Sequence, residues 1–148
     1  RSVAEAQKRK FYAKRFRGKK APKLRVGSWV RNKTSLSGKP MLIKFFATWC
    51  GVCRRSITPL NKLQKELGSS IRIVAISDES EAHIKQFMSS SVKFSGCRDN
   101  DGKTFKKYGI EGVFPHFVMV SKSGYVRSEG PMPIHDYSAL KKRIKKYV

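Results

Sequence analysis

Cys50 and Cys53, separated by Gly51 and Val52 and preceded by Trp49, are the residues of this 148-residue chain best suited to chemistry. Two intervening residues place the sulfurs at i and i+3 of a first helical turn, on one side, where a small disulfide ring closes with little backbone movement. The thiolate is the form that attacks a disulfide, and a cysteine at a helix N-terminus is favoured as an anion by unpaired backbone N–H groups and the helix dipole. Cys50 is therefore expected to be the nucleophile and Cys53 the resolving thiol, with Arg54 and Arg55 adding positive charge close by. A structural zinc site would need a second ligand pair at short range. Cys97, His83, His116 and His135 do not form one, so neither a metal nor another cofactor is expected. A purely structural disulfide would close too short a loop to stabilise much, and Cys97 reads as a free thiol.

The dithiol needs a strand before it and a helix after it, and the flanking residues predict both. Met41–Phe46 is a buried strand, and Cys53–Leu67 carries Ile57, Leu60, Leu63 and Leu67 on one helical face, kinked near Pro59, which has no N–H to donate. Ile71–Ile76 is a second strand, apolar enough to be buried on both faces. Ser80 caps a helix over Glu81–Met88, and the turn Asp99–Gly102 precedes a short helix with Phe105 and Tyr108. His116–Val120 and Tyr125–Ser128 form a hairpin around Lys122-Ser123-Gly124, and a last helix runs from about His135 to Tyr147. Such alternation is the pattern of an α/β domain.

Charge is the second strong signal. Lys and Arg number 33 against 10 Asp and Glu, a net charge of +23, far beyond what solubility requires, which points to an extended anionic partner. Residues 1–40 hold 14 of the cations and one acid, Glu5. The chain is divided accordingly into a basic extension, 1–36, and a redox domain, 37–148. In the extension a helix is predicted from about Val3 to Arg17. Phe11, Tyr12 and Phe16 interleave there with Lys8, Arg9, Lys10, Lys14, Arg15, Arg17, Lys19 and Lys20, a pattern suited to lying along phosphates with rings stacked. Lys141, Lys142, Lys145 and Lys146 on the last helix extend the cationic surface, though near a helix C-terminus some of them serve the dipole instead. Arg-rich, acid-poor segments also address mitochondria; because the chain opens on Arg1, a presequence is expected to be already removed. A basic amphipathic segment also suits a calmodulin-like partner or a membrane surface. No stretch approaches the roughly 20 apolar residues that span a bilayer.

The lead-in Phe45-Phe46-Ala47-Thr48-Trp49-Cys50 and the stretch Lys107-Tyr108-Gly109-Ile110-Glu111-Gly112-Val113-Phe114-Pro115 before a strand resemble the TlpA/ResA group of thioredoxin-like proteins over about residues 37–148. The resemblance implies a thioredoxin-like three-layer α/β fold, a central mixed sheet with helices on both faces. It also implies that Pro115 is a cis-proline facing the dithiol, that Phe114 offers backbone groups to an extended substrate strand, and that Trp49 shields the sulfurs. Gly51 and Val52 would line the substrate contact and set the redox poise. Three departures stand out: Lys44 occupies the place of a buried acid that assists proton transfer to the resolving cysteine, Ser56 and Ile57 stand where a Glu often follows the second cysteine, and the helix proline, Pro59, comes one residue late.

Two function classes follow. One is a thiol–disulfide oxidoreductase acting on a disulfide-bearing protein, with the basic arm as a targeting or protein-docking segment. The other is a thioredoxin-fold dithiol protein docked on RNA, rRNA above all, among neighbouring proteins of a large assembly such as an organellar ribosome, with thiol–disulfide exchange left open because Lys44 replaces the buried acid. The second is the expectation taken forward, with the mitochondrion ahead of plastid or cytoplasm.

Overall fold

The computed structural model describes residues 13–148. Six strands, β1 (Val26–Arg31), β2 (Met41–Phe45), β3 (Arg72–Ser77), β4 (Ser95–Asp99), β5 (His116–Val120) and β6 (Val126–Gly130), make one sheet in the order β1-β4-β3-β2-β5-β6. The pairs β4–β3 and β3–β2 are parallel; β1–β4, β2–β5 and β5–β6 are antiparallel. The helices are α1 (Gly51–Arg55), α2 (Ile57–Leu67), α3 (Glu81–Phe87), α4 (Lys103–Tyr108) and α5 (Tyr137–Lys145).

The period of two along each strand divides the core. Leu42, Phe46, Ile73, Ala75, Phe117 and Met119 point to the face covered by α1, α2, α3 and α5, while Ile43, Phe45, Val74, Ile76, Val118 and Val120 point to the face covered by α4. Two successive crossovers, β2 to β3 and β3 to β4, move the same way across the sheet. Crossovers of one hand therefore put their helices on one face.

The central strands, the Ser80-capped helix and the hairpin stand where the sequence predicts them, to within a residue or two. Four features differ. Strand β1 has little alternation and two register shifts, and β4 reads Ser-Gly-Cys-Arg-Asp; both are too polar to announce themselves, and pairing at the sheet edge supplies what their composition does not. Because β1 is part of the sheet, the domain begins well before residue 37. The helix after the dithiol is two helices interrupted at Ser56, since Pro59 has no N–H for the Arg55 carbonyl one turn earlier. Of the helix predicted over Val3–Arg17, residues 3–12 lie outside the described residues, and Ala13–Arg17 is not helical. Its backbone is used by the domain instead: Lys14 N–H donates to the Tyr108 carbonyl (2.9 Å), Phe16 and Arg17 N–H donate to the Glu129 carboxylate (2.9 Å each), and Lys20 bridges Tyr125.

Gly96 in β4 has a specific use. A Cβ there would come within 2.2 Å of Met88 Sδ, so the buried end of the Met88 side chain occupies the space that the glycine leaves open.

Candidate active site

Strand β2 ends by delivering the chain into Ala47–Trp49, and α1 starts at once. Cys50 is its N-cap, with extended φ and ψ, and its sulfur accepts the Cys53 N–H at 3.1 Å. This is the place where a helix start holds negative charge. The Cys50 thiol is lowered to about 6, first by the hydrogen bond from the Cys53 thiol, then by the Cys53 and Val52 N–H groups and the Lys44 charge, against an opposing contribution from burial. Cys53 is pushed far up by that same hydrogen bond and by burial. One sulfur is thus held as a ready thiolate and the other as a thiol, as attack and resolution require. The cation that acts on Cys50 is Lys44; Arg54 and Arg55 are exposed, and Arg54 stacks 4.9 Å above the Phe87 ring.

Lys44, expected only as a missing acid, is fully buried beneath the dithiol and donates to the Cys53 carbonyl at 2.8 Å. Ser56 Oγ donates to the same carbonyl at 2.7 Å. The interruption between α1 and α2 is therefore satisfied by two side chains rather than left open.

The Phe114–Pro115 peptide is cis. Trp49 is 70% exposed and meets the Phe114 ring edge-on at 5.7 Å, while Phe114 also contacts Phe105 at 6.0 Å. Trp49 is therefore a surface platform bridging the dithiol loop to the cis-proline loop, neither core nor a complete lid. Gly51 is exposed and Val52 half-buried beside it, so the rim around Cys50 is open to a partner.

Glu79 was not picked out by the sequence reading. Its carboxylate accepts from Thr48 N–H at 2.6 Å and from the Thr48 and Ser77 hydroxyls, tying the loop before Trp49 to the end of β3. The signal available was an acid just past a buried strand, which many solvated turns share. Cys97 lies buried on the α4 face, its thiol pushed up to about 12 by burial and by Asp99.

Among the described residues the cationic candidates are not gathered on one face. Lys8, Arg9, Lys10, Phe11 and Tyr12 lie outside the described residues. Lys14, Arg15, Arg17, Lys19 and Lys20 are exposed on the segment whose Phe16 packs on the α4 face, whereas α5 inserts Leu140 and Ile144 on the other face. Lys141 pairs with Glu66 at 3.0 Å; Lys142, Lys145 and Lys146 are exposed. No helix among the described residues is long and apolar enough to cross a membrane.

Comparison with known proteins agrees with this site. The AhpC/TSA family model matches residues 13–129. The chain is 31% identical over 120 residues to the thiol-disulfide oxidoreductase ResA of Bacillus thuringiensis, covering 76% of this chain and 68% of that protein. It is 34% identical over 85 residues to a thioredoxin-like protein of Haemophilus influenzae, covering 57% of this chain and 50% of the other. Among solved structures, the thioredoxin domain of a thiol-disulfide oxidoreductase from Bacteroides vulgatus superposes with a TM-score of 0.77 at 21% identity, over 91% of this chain and 99% of that one. A thiol:disulfide interchange protein of the thioredoxin family from Chlorobium tepidum does so with a TM-score of 0.70 at 23% identity, over 90% and 97%. At these identities the structural matches establish the fold.

Proposed function

The chain belongs to the AhpC/TSA family as a thioredoxin-fold thiol–disulfide oxidoreductase carrying the Cys50–Cys53 dithiol, and from that premise we propose that it exchanges disulfides with a protein substrate held across Trp49, Phe114 and Pro115. The observation that carries the reading is the asymmetry of the sulfurs: Cys50 caps α1 as a stabilised thiolate while Cys53 keeps its proton. Cys50 attacks one sulfur of the substrate disulfide, forming a mixed disulfide and releasing the other sulfur as thiolate. Cys53 then attacks Cys50, closing the internal disulfide and releasing the second substrate sulfur, so the protein loses two electrons and the substrate gains them. An extended segment lying against Phe114 would present its disulfide to Cys50, with the exposed Trp49 ring as an apolar support.

The test is trapping. Cys53→Ser mixed with a reducible protein disulfide such as insulin is expected to accumulate a mixed disulfide through Cys50, and Cys50→Ser to accumulate none. Equal trapping by the two variants would refute the assignment of roles.

A second reading, docking on RNA in a large organellar assembly, rests on the +23 charge and on the exposed row Lys14, Arg15, Arg17, Lys19 and Lys20. The redox names of the relatives favour the first reading. Sedimentation of the native protein from an organelle lysate separates them: migration with a large particle that collapses on RNase supports docking, and migration as a small protein with and without RNase removes it.

A further inference from the structure

Lys44 is a lysine where physics disfavours one. It sits in the middle of β2, paired with Ala75 and Phe117, and shares the parity of Leu42 and Phe46, so its side chain enters the face under α1. It is 1% exposed. Its ammonium donates to the Cys53 carbonyl and lies 5.6, 5.9 and 5.8 Å from the ring centres of Phe46, Phe87 and Phe94. Rings and one carbonyl support a cation only in part, and a buried charge without a counter-charge is costly. The charges that act on Lys44 are the sulfurs of Cys53 and Cys50.

The other titratable groups of the packed elements stand apart. Arg54 and Arg55 of α1 and Glu81, His83 and Lys85 of α3 are exposed. Glu79 is engaged by Thr48, and His116 of β5 has the parity of Val118, on the opposite face. Burial brings the Lys44 amine down to about 8, and the two sulfurs resist that fall. Lys44 therefore exchanges its proton near neutral pH, and its preference depends on the charge of the dithiol.

We propose that Lys44 is the proton-exchanging group of the dithiol: as an ammonium it faces the Cys50 thiolate in the reduced protein, and as an amine it takes the proton of Cys53 in the resolving step. The assignment rests on the exchange reading above. Once Cys50 is tied into a mixed disulfide, its negative charge is gone and the buried ammonium has lost one of the two sulfurs that support it. Lys44 then releases its proton toward solvent and stands as a free amine. Cys53–SH passes its proton to that amine, giving Cys53–S⁻ and Lys44–NH₃⁺. The new thiolate attacks the Cys50 sulfur, the internal disulfide forms, and the substrate sulfur leaves as thiolate. A base is thus produced at the stage that needs one, which a permanently charged side chain would not achieve.

The test is the reaction of the reduced protein with a chromogenic aryl disulfide, dithiobis(nitrobenzoate). The first aryl thiolate released reports attack by Cys50; the second reports closure by Cys53. Lys44→Met keeps an unbranched side chain among the three rings. It is expected to raise the pH midpoint of the first phase above its value near 6 and to slow the second phase at least about tenfold at pH 7. Both phases unchanged in rate and pH profile would overturn the proposal. An independent measurement needs no variant: the amine of ¹⁵N-labelled lysine is titrated in the wild-type protein before and after alkylation of Cys50. Its midpoint is expected to fall on alkylation, and an unmoved midpoint overturns the proposal. A wild-type protein with no first phase defeats the exchange reading instead, and the amine titration alone then decides the role of Lys44.

Discussion

At the Cys50 sulfur two N–H groups, one thiol and one buried ammonium converge, and each favours the anion. Cys97 has the same chemical group in a site with no such donor, packed among Ile43, Val74 and Ile76 on the α4 face. Environment therefore separates two cysteines that composition treats alike. A cysteine is an acid, so a lowered value means that the reactive thiolate is already present above about pH 6, whereas Cys97 remains protonated until about pH 12. Alkylation of reduced protein at pH 7 is expected to modify Cys50 more than about a hundredfold faster than Cys97, with the Cys50 rate rising through pH 6 and levelling above it. Mass spectrometry of timed samples checks this, and comparable rates would contradict the site as described. Cys97→Ser is expected to leave exchange unchanged.

The elements around the site are joined by carboxylates placed at backbone N–H groups. Asp99 accepts from Thr104 and Phe105 N–H at 3.0 and 2.9 Å and so starts α4, which a glycine N-cap does not do by itself. Glu129 on β6 does the same for the segment entering the domain, accepting from Phe16 and Arg17. That segment is cationic and mostly exposed; besides this carboxylate it is held by backbone hydrogen bonds of Lys14 with Tyr108 and of Gly18 and Lys19 with Val126, by the bridge to Tyr125 and by the edge-on contact of Phe16 with Tyr108 at 5.4 Å. Glu129→Ala is expected to increase tryptic cleavage after Arg15 and Arg17 by roughly tenfold, with cleavage elsewhere unchanged, because two charge-assisted hydrogen bonds are lost locally. Limited proteolysis followed by mass mapping reads the outcome. If the cleavage pattern does not change, Glu129 is not what anchors the segment.

For the whole molecule the two faces of the sheet carry different burdens. The α1–α3–α5 face holds the dithiol and Lys44; the α4 face holds Cys97 and, at the start of β5, His116. Burial lowers His116 to about 4, so it is neutral in the folded protein. The unfolded chain takes up a proton on this histidine near pH 6.5, so its contribution to stability is intact above that value, is lost as pH falls from 6.5 to 4, and changes no further below. The loss is roughly 3 kcal/mol. His116→Phe, which keeps a ring against Phe45 (5.9 Å between ring centres), is expected to flatten the fall of the urea midpoint between pH 6.5 and 4. An unchanged slope would assign the acid sensitivity to other groups.

The class of this protein and its reacting atoms were legible in the chain, because they depend on short-range rules: two cysteines three apart, an apolar run before them, a proline opening a later strand, and period-two alternation that assigns each core residue to a face. Even the side on which Lys44 lies follows from its parity with Leu42 and Phe46. What those rules do not reach is what lies across from a residue. That Lys44 meets the Cys53 carbonyl and the Phe87 and Phe94 rings, that Glu79 ties down Thr48, and that Trp49 rests on Phe114 are contacts between residues 9 to 65 apart. The same holds at the sheet edge, where β1 is a strand because β4 pairs with it and not because its own residues demand it. Local pattern sets which atoms can react, and tertiary packing sets their charge, because pKa values and edge pairing depend on partners that only the closed fold supplies.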